Sequence, residues 1–347
     1  MWRSCAVVVA VLAAVVGFAG RQLIRNPIDF QKVNLAGKHV VVTGATLGIG
    51  FETAVALAEW GATLHLPVRS QAKAEALTKQ LKSRAPEAKV HVYADFDLAD
   101  LMSVRKFAKD LRTPVLDVLI NNAGVMPVGN VKLDPTVDGM EHAYQVNHLG
   151  PFLLSRMLVP ALEKARSGAR VVFVSSAAHY MGSVDKNIYN TTSKGLKPDT
   201  WTSERYGTTK LMNCITAVAY DEHYKAKNIR ANCLNPGFVQ SDLDSSLPPG
   251  VREFSRWFRG LVARETREGA VCSVTVATAP GLNGVGGRYF EDRCADTLCD
   301  ARKPWHTLLS CFMCDAENPP GVVANSQVRD KALQKWLWVT SSELVGL

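Results

Sequence analysis

The chain has 347 residues, 47% of them hydrophobic and 21% charged, with a formal net charge of +8. This length and composition give one large domain with a buried core and exclude a mostly disordered chain. No long Lys/Arg tract, zinc-finger pattern or RNA-binding signature accompanies the charge, so nucleic acid is not an expected partner; a phosphate-rich ligand or an anionic membrane face accounts for the sign.

The first element is apolar. Residues 5–20 read CAVVVAVLAAVVGFAG, sixteen residues without a charge. As a helix this run reaches only ~24 Å, against a hydrocarbon core of roughly 30 Å. Trp2 on one side and Leu23 and Ile24 on the other extend it to a span, with Arg25 at the interface. A membrane anchor over residues 1–25 is preferred to a cleaved signal peptide, for which Ala19 and Gly20 supply the small residues. Arg21, Arg25, Lys32 and Lys38 outweigh Arg3, which predicts a body on the cytosolic side.

From residue 36 onward strands and helices alternate. Strands are expected at 39–44, 63–68, 90–96, 115–124 with its loop, 170–176, 229–237 and 286–290. Helices are expected at 51–62, 72–84, 101–111, 139–165, 206–225 and near 266–279. The pattern predicts an α/β fold, a Rossmann-type doubly wound parallel sheet covered on both faces, as a single domain over 36–347.

Strand one runs directly into Thr43-Gly44-Ala45-Thr46-Leu47-Gly48-Ile49-Gly50, and a helix follows. Glycines permit a tight turn and close backbone approach, and the helix start offers free N–H groups to a pyrophosphate. The end of strand two chooses the cofactor. Leu66-Pro67-Val68-Arg69-Ser70 holds no acid for a ribose 2′-hydroxyl, whereas Arg69 suits the 2′-phosphate of NADP(H), with Ser70 assisting.

Three later strands also end in loop chemistry: Asn121-Asn122-Ala123-Gly124, Ser175-Ser176 and Pro236-Gly237. Each alone reads as a turn or cap; together they mark the carboxyl edge of a parallel sheet as a site. Tyr206-Gly207-Thr208-Thr209-Lys210 puts a phenol and an ammonium four residues apart on one helix face. A phenol of pKa about 10 is a poor proton donor or acceptor at neutral pH, and a nearby ammonium is expected to lower it. Tyr189 has its lysine, Lys194, five residues on and out of helical register.

Cys214, Cys233 and Cys272 fall in apolar-patterned segments and read as core. Cys294, Cys299, Cys311 and Cys314 are spaced C-x4-C-x11-C-x2-C in an insertion near 294–320. Only the second half matches zinc spacing, so no metal is expected.

The motifs TGATLGIG, NNAG, VSS, YGTTK and NPGFVQSD resemble the short-chain dehydrogenase/reductase family in its single-domain branch, over roughly 36–290 and again in the tail. By that resemblance Tyr206 is the catalytic acid/base. Lys210 lowers its pKa and binds the nicotinamide ribose, and Ser176 bonds the substrate oxygen. Asn147, in YQVNHLGPF, holds the water of a proton relay toward Lys210. Asn122, Ala123 and Gly124 line the adenine side, and Asp97 and Leu98 touch the adenine. Pro236, Gly237, Val239 and Ser241 flank the carboxamide. Spacing alone does not choose between Ser175 and Ser176; the family's usage selects the second.

AGVMPV, EHAYQVNHLGPFLL, VSSAAH, GVGGRYFED and the tail WLWVTSSELVGL are similar to the retinol-dehydrogenase-like branch, including membrane-anchored members. That branch implies a lipophilic alcohol or carbonyl substrate of the retinoid, sterol, polyprenol or lipid aldehyde type. With cytosolic exposure and NADP(H), reduction is the expected net direction. The thirty residues from Ser176 to Tyr206 are usual there, and the segment between is expected to cover the substrate pocket. A homodimer is compatible with the resemblance. The competing function is a non-catalytic, NADP(H)-sensing binding protein on the same fold, against which Asn147, Ser176, Tyr206 and Lys210 all speak. An epimerase or dehydratase of the extended branch is disfavoured by the Gly44/Gly48/Gly50 spacing.

Overall fold

The computed structural model describes residues 30–126, 135–185, 202–239, 253, 263–291 and 325–347. The expected anchor at 1–25, the Tyr189/Lys194 pair, Ser241 and the four-cysteine insertion lie outside these residues. No helix among the described residues is long and apolar enough to cross a membrane.

Among the described residues seven strands form one sheet: β1 (His39–Val42), β2 (Thr63–Pro67), β3 (Lys89–Tyr93), β4 (Val118–Asn121), β5 (Ala169–Val174), β6 (Ile229–Leu234) and β7 (Tyr289–Phe290). Their spatial order is β3-β2-β1-β4-β5-β6-β7, and every pairing is parallel. Both faces are buried, as the near-continuous apolar strands require. Val41, Leu119, Val171 and Phe173 face one core, while Val40, Val42, Ile120, Val172 and Val174 face the other, so the period-2 alternation separates two apolar layers. The strand order reverses between β1 and β4, which opens a crevice at their carboxyl ends.

The helices cover the two faces. α1 (Gly48–Glu59) and α2 (Gln71–Arg84) lie on one side. α3 (Leu101–Asp110) lies on the other; Asp100 caps it by accepting from the N–H groups of Met102 and Ser103 at 2.9 and 3.2 Å. The single helix expected over 139–165 is instead broken into α4 (His142–Tyr144), a π-turn (Gln145–Leu149), α5 (Gly150–Met157) and α6 (Val159–Leu162). Pro151 and Pro160 have no N–H to continue the ladder, and each sits in the first turn of a new segment. The wide turn before Pro151 carries Asn147.

α7 (Thr202–Tyr224) carries the Tyr-x-x-x-Lys pair, and α8 (Thr266–Thr278) starts at a capping box of Glu265 and Glu268. α9 (Lys331–Leu344), not anticipated as a helix, begins at Asp330, whose carboxylate accepts from the N–H of Leu333 at 2.9 Å. Strands β1, β5 and β6 stop short of Gly44, Ser176 and Gly237, which lie in the loops beyond them. Cys214, Cys233 and Cys272 are buried, as expected.

Candidate active site

The site is built from loops at the carboxyl ends of the strands. Beyond β1, Gly44 and Gly48 take φ of +68° and +62°, the left-handed region that favours glycine. A Cβ at Gly50 would lie 2.3 Å from the Gly44 carbonyl and 2.4 Å from Asn122 Nδ2, so only glycine fits there. The start of α1 has no side-chain cap and no acid in its first turn, which leaves its N–H groups and dipole open to an anion. Thr46, Leu47, Gly48 and Ile49 keep partial exposure around that opening.

The loop after β4 braces the glycine turn. Thr43 Oγ1 accepts from the N–H groups of Asn122 and Ala123, both at 3.1 Å. Asn122 Nδ2 donates to the carbonyls of Thr43 and Gly44 at 2.9 and 3.2 Å. The Asn122 side chain, expected to line the adenine side, is thus spent on holding the turn. Thr43 was missed as a partner, although its position between strand and glycine loop was the available signal.

Beyond β2, Arg69 is exposed, and Ser70 caps α2 by accepting from the Lys73 N–H at 3.4 Å. Beyond β3, Asp97 accepts from the Ala99 N–H at 2.9 Å. The Leu98 side chain is buried in the core against Gly150, so the adenine contact expected of it would fall to its backbone.

Asn147 is fully buried. Its Oδ1 accepts from the Val125 N–H at 2.8 Å, while its Nδ2 donates to the Val125 carbonyl at 2.8 Å and to Thr209 Oγ1 at 3.0 Å. The side chain ties the loop after β4 to α7. Thr209 gave no signal in the sequence beyond its place beside Lys210. Gly124 closes the same corner: a Cβ there would meet Lys210 Nζ at 3.0 Å and Asn147 Oδ1 at 3.2 Å.

The two serines after β5 separate clearly. Ser175 is buried and donates to the Lys210 carbonyl at 2.7 Å, which docks α7 on the sheet. Ser176 opens the next turn, accepts from the Ala178 N–H at 3.2 Å and lies close enough to Tyr206 to favour its phenolate. Lys210 Nζ lies 5.6 Å from the Tyr206 ring centroid and donates to the Val174 carbonyl at 2.9 Å. Ser176, Tyr206, Lys210 and Asn147 therefore share one corner.

Burial raises the Tyr206 phenol to about 12, opposed by the Ser176 hydrogen bond. Burial likewise lowers Lys210 to about 8. The expected lowering of the phenol by Lys210 is not seen in the protein alone: burial sets the direction, and the ammonium is turned to the Val174 carbonyl.

Beyond β6, Gly237 N–H donates to Asn235 Oδ1 at 3.1 Å, after Pro236. Val239 is buried and bridges to Arg264. Leu47, Met181 and Phe238 are large apolar side chains left exposed in the segments that follow β1, β5 and β6.

The short chain dehydrogenase family profile matches residues 38–199. Human dehydrogenase/reductase SDR family member 13 is 36% identical over 299 residues, covering 81% of this chain and 76% of its own length. Human retinol dehydrogenase 11 is 32% identical over 340 residues, covering 94% and 92%. Mouse polyprenol dehydrogenase is 32% identical over 364 residues, covering 99% and 96%. Among solved structures, an uncharacterized protein from Mycobacterium paratuberculosis is similar with a TM-score of 0.63 and 27% identity, over 91% of this chain and 96% of that one. With this fold, this corner of side chains and these relatives, the chain belongs to the short-chain dehydrogenase/reductase family of nicotinamide-dependent oxidoreductases.

Proposed function

We propose that the protein is an NADP(H)-dependent oxidoreductase that interconverts a lipophilic alcohol and its carbonyl compound, with Tyr206 as acid/base. The observation that carries this reading is the buried Tyr206 ring with Lys210 Nζ 5.6 Å from its centroid, beside Ser176, at the sheet edge that also holds the open glycine turn.

The residues fit a dinucleotide. The uncapped start of α1 would take the pyrophosphate, and Arg69 the 2′-phosphate, where an acid would instead select NAD. Lys210 would bind the ribose, and Pro236, Gly237 and Val239 would flank the carboxamide; Ser241 is carried by the family resemblance alone. When bound, the nicotinamide supplies or takes up the hydride.

In reduction, Tyr206 gives its hydroxyl proton to the substrate oxygen as negative charge builds there, and Ser176 donates a hydrogen bond to the same oxygen. A phenol held protonated by burial is in the state this step needs. Asn147 keeps the loop after β4 and α7 in register, on the route by which a water would return the proton toward Lys210. The names of the retinol and polyprenol dehydrogenase relatives and the exposed Leu47, Met181 and Phe238 support a bulky apolar substrate. The apolar run at 5–20, followed by Arg21 and Arg25, supports a membrane-held enzyme whose body faces the cytosol.

The test is NADPH and NADH oxidation by the full-length protein against retinoid, steroid and long-chain aldehyde substrates. NADPH is expected to be preferred, Tyr206→Phe to lower kcat by about 100- to 10,000-fold, and Arg69→Ala to raise the NADPH KM by about 10-fold or more while leaving that for NADH unchanged. A preference for NADH removes the Arg69 assignment. Full activity of Tyr206→Phe removes the mechanism. Recovery of the full-length chain in the soluble fraction removes the membrane reading.

A further inference from the structure

Two residues of the quoted motifs have no part in the chemistry above: His179, which ends VSSAAH, and Glu291, in GVGGRYFED. In the fold they meet behind the site. His179 is buried in the turn Ala177–Met181 that follows Ser176. Its Nδ1 lies 2.7 Å from the Ser176 carbonyl oxygen. A carbonyl only accepts, so Nδ1 carries the proton and the ring is held as one tautomer. Nε2 is then an unprotonated acceptor, buried and without a partner among the described residues.

The His179 ring packs against the rings of Tyr180 and Tyr289, with centroids 3.9 and 4.6 Å away. Both tyrosine hydroxyls donate to Glu291 Oε1, at 3.2 and 2.6 Å. The other carboxylate oxygen, Oε2, accepts from Asn235 Nδ2 at 2.8 Å, and Asn235 Oδ1 accepts from the Gly237 N–H. One carboxylate thus joins the turn after β5, which sets Ser176, to the loop after β6, which carries Pro236 and Gly237. Neither Glu291 nor His179 is within the set of groups that would touch the reacting atoms.

We propose that Glu291 and His179 are positioning residues: Glu291 locks Tyr180, Tyr289 and Asn235 in one arrangement, and the His179 N–H they brace fixes the backbone at Ser176 and so aims its hydroxyl at the substrate oxygen. The proposal rests on the reading of Ser176 given above. It explains why a carboxylate, two phenols, an imidazole and an amide are gathered beside the site with no direct chemistry to perform.

The test is a kinetic cycle on the full-length enzyme with NADPH and a long-chain aldehyde. Ser176→Ala comes first; wild-type activity in that variant overturns the Ser176 reading and the proposal with it. With Ser176→Ala impaired, His179→Phe is expected to lower kcat by about 10-fold or more with the NADPH KM unchanged, while His179→Asn, whose amide N–H replaces that of Nδ1, stays within about 3-fold of wild type. On the Ser176→Ala background, His179→Phe is expected to change kcat by less than about 2-fold, because the hydroxyl it aims is gone. Equal losses on both backgrounds, or wild-type kcat in His179→Phe, overturn the proposal while leaving the Ser176 reading intact. If His179→Phe does not fold, Tyr180→Phe, which removes one hydroxyl and keeps the ring, is held to the same non-additivity. Glu291→Leu, which removes both acceptor oxygens, is expected to raise the NADPH KM by about 5-fold or more through the Gly237 loop; an unchanged KM overturns the role of Glu291.

Discussion

At the scale of single residues, one cause acts on both members of the Tyr206/Lys210 pair. Burial disfavours the charged form of each, so the phenol rises to about 12 and the ammonium falls to about 8. The sequence identified the pair, because a helix puts residues four apart on one face. It did not reveal the direction of the shifts, which follows from how deeply both groups are buried. Nor did it separate Ser175 from Ser176, since adjacent positions differ only in which loop atoms they meet. A consequence follows for pH. A lysine is charged below its pKa, and a lowered pKa means that the ammonium is lost earlier as pH rises. The profile of kcat/KM for reduction, which reports the free enzyme, is expected to be flat near pH 7 and to fall above about 8. Lys210→Arg, charged throughout, should lose activity at neutral pH and lose the limb near 8 as well. An alkaline limb that remains near 8 in that variant belongs to another group.

At the scale of elements, the strands were the most legible part. Short Val/Ile/Leu runs ending in Gly, Ser or Asn mark them within a few residues. The helix bearing Asn147 was misread because apolar spacing runs through it unbroken, while the π-turn depends on how Asn147 bonds Val125 across the site. The turn carrying His179 has no period to read. α9 did carry a signal, Asp330 before Leu333 and Leu337, four residues apart and both buried. Its docking is aromatic. Trp338 stacks on His223 at 3.9 Å, meets Phe152 edge-on at 5.2 Å, and lies under the Arg156 guanidinium at 4.8 Å. Ser341 adds a 2.8 Å hydrogen bond to His148, next to Asn147. Trp338→Ala is expected to destabilise the fold by about 2–4 kcal/mol. It should also open the chain near residue 325 to limited proteolysis before global unfolding. Unchanged stability together with unchanged cleavage would mean that α9 is not held by this side chain.

At the scale of the whole molecule, the parallel sheet was readable from alternation alone, but the contacts between its strands were not. His39, His65 and His91 stand on three adjacent strands, β1, β2 and β3, and the register pairs His65 directly with His91. His39 Nδ1 and His65 Nε2 are 3.1 Å apart, His65 Nδ1 lies 2.9 Å from the Tyr93 hydroxyl, and the His65 and His91 rings stack at 5.1 Å. Burial, with the two neighbouring imidazoles adding to it, lowers His65 to about 4 from an ordinary value of 6.5. Burial likewise lowers His148, beneath α9, to about 3. The unfolded chain therefore takes up protons as pH falls below about 6.5, while the folded chain resists until near 4. Stability from this source is complete above about 6.5 and declines as pH drops toward 4. Thermal unfolding at pH 7.0, 5.5 and 4.5 is expected to give a Tm that falls across that window. His65→Gln, which keeps a polar side chain but cannot titrate, should start less stable at pH 7 and fall less steeply toward pH 4.5. If the wild type and this variant lose Tm in parallel, the acid sensitivity arises elsewhere and the histidine row is only packing.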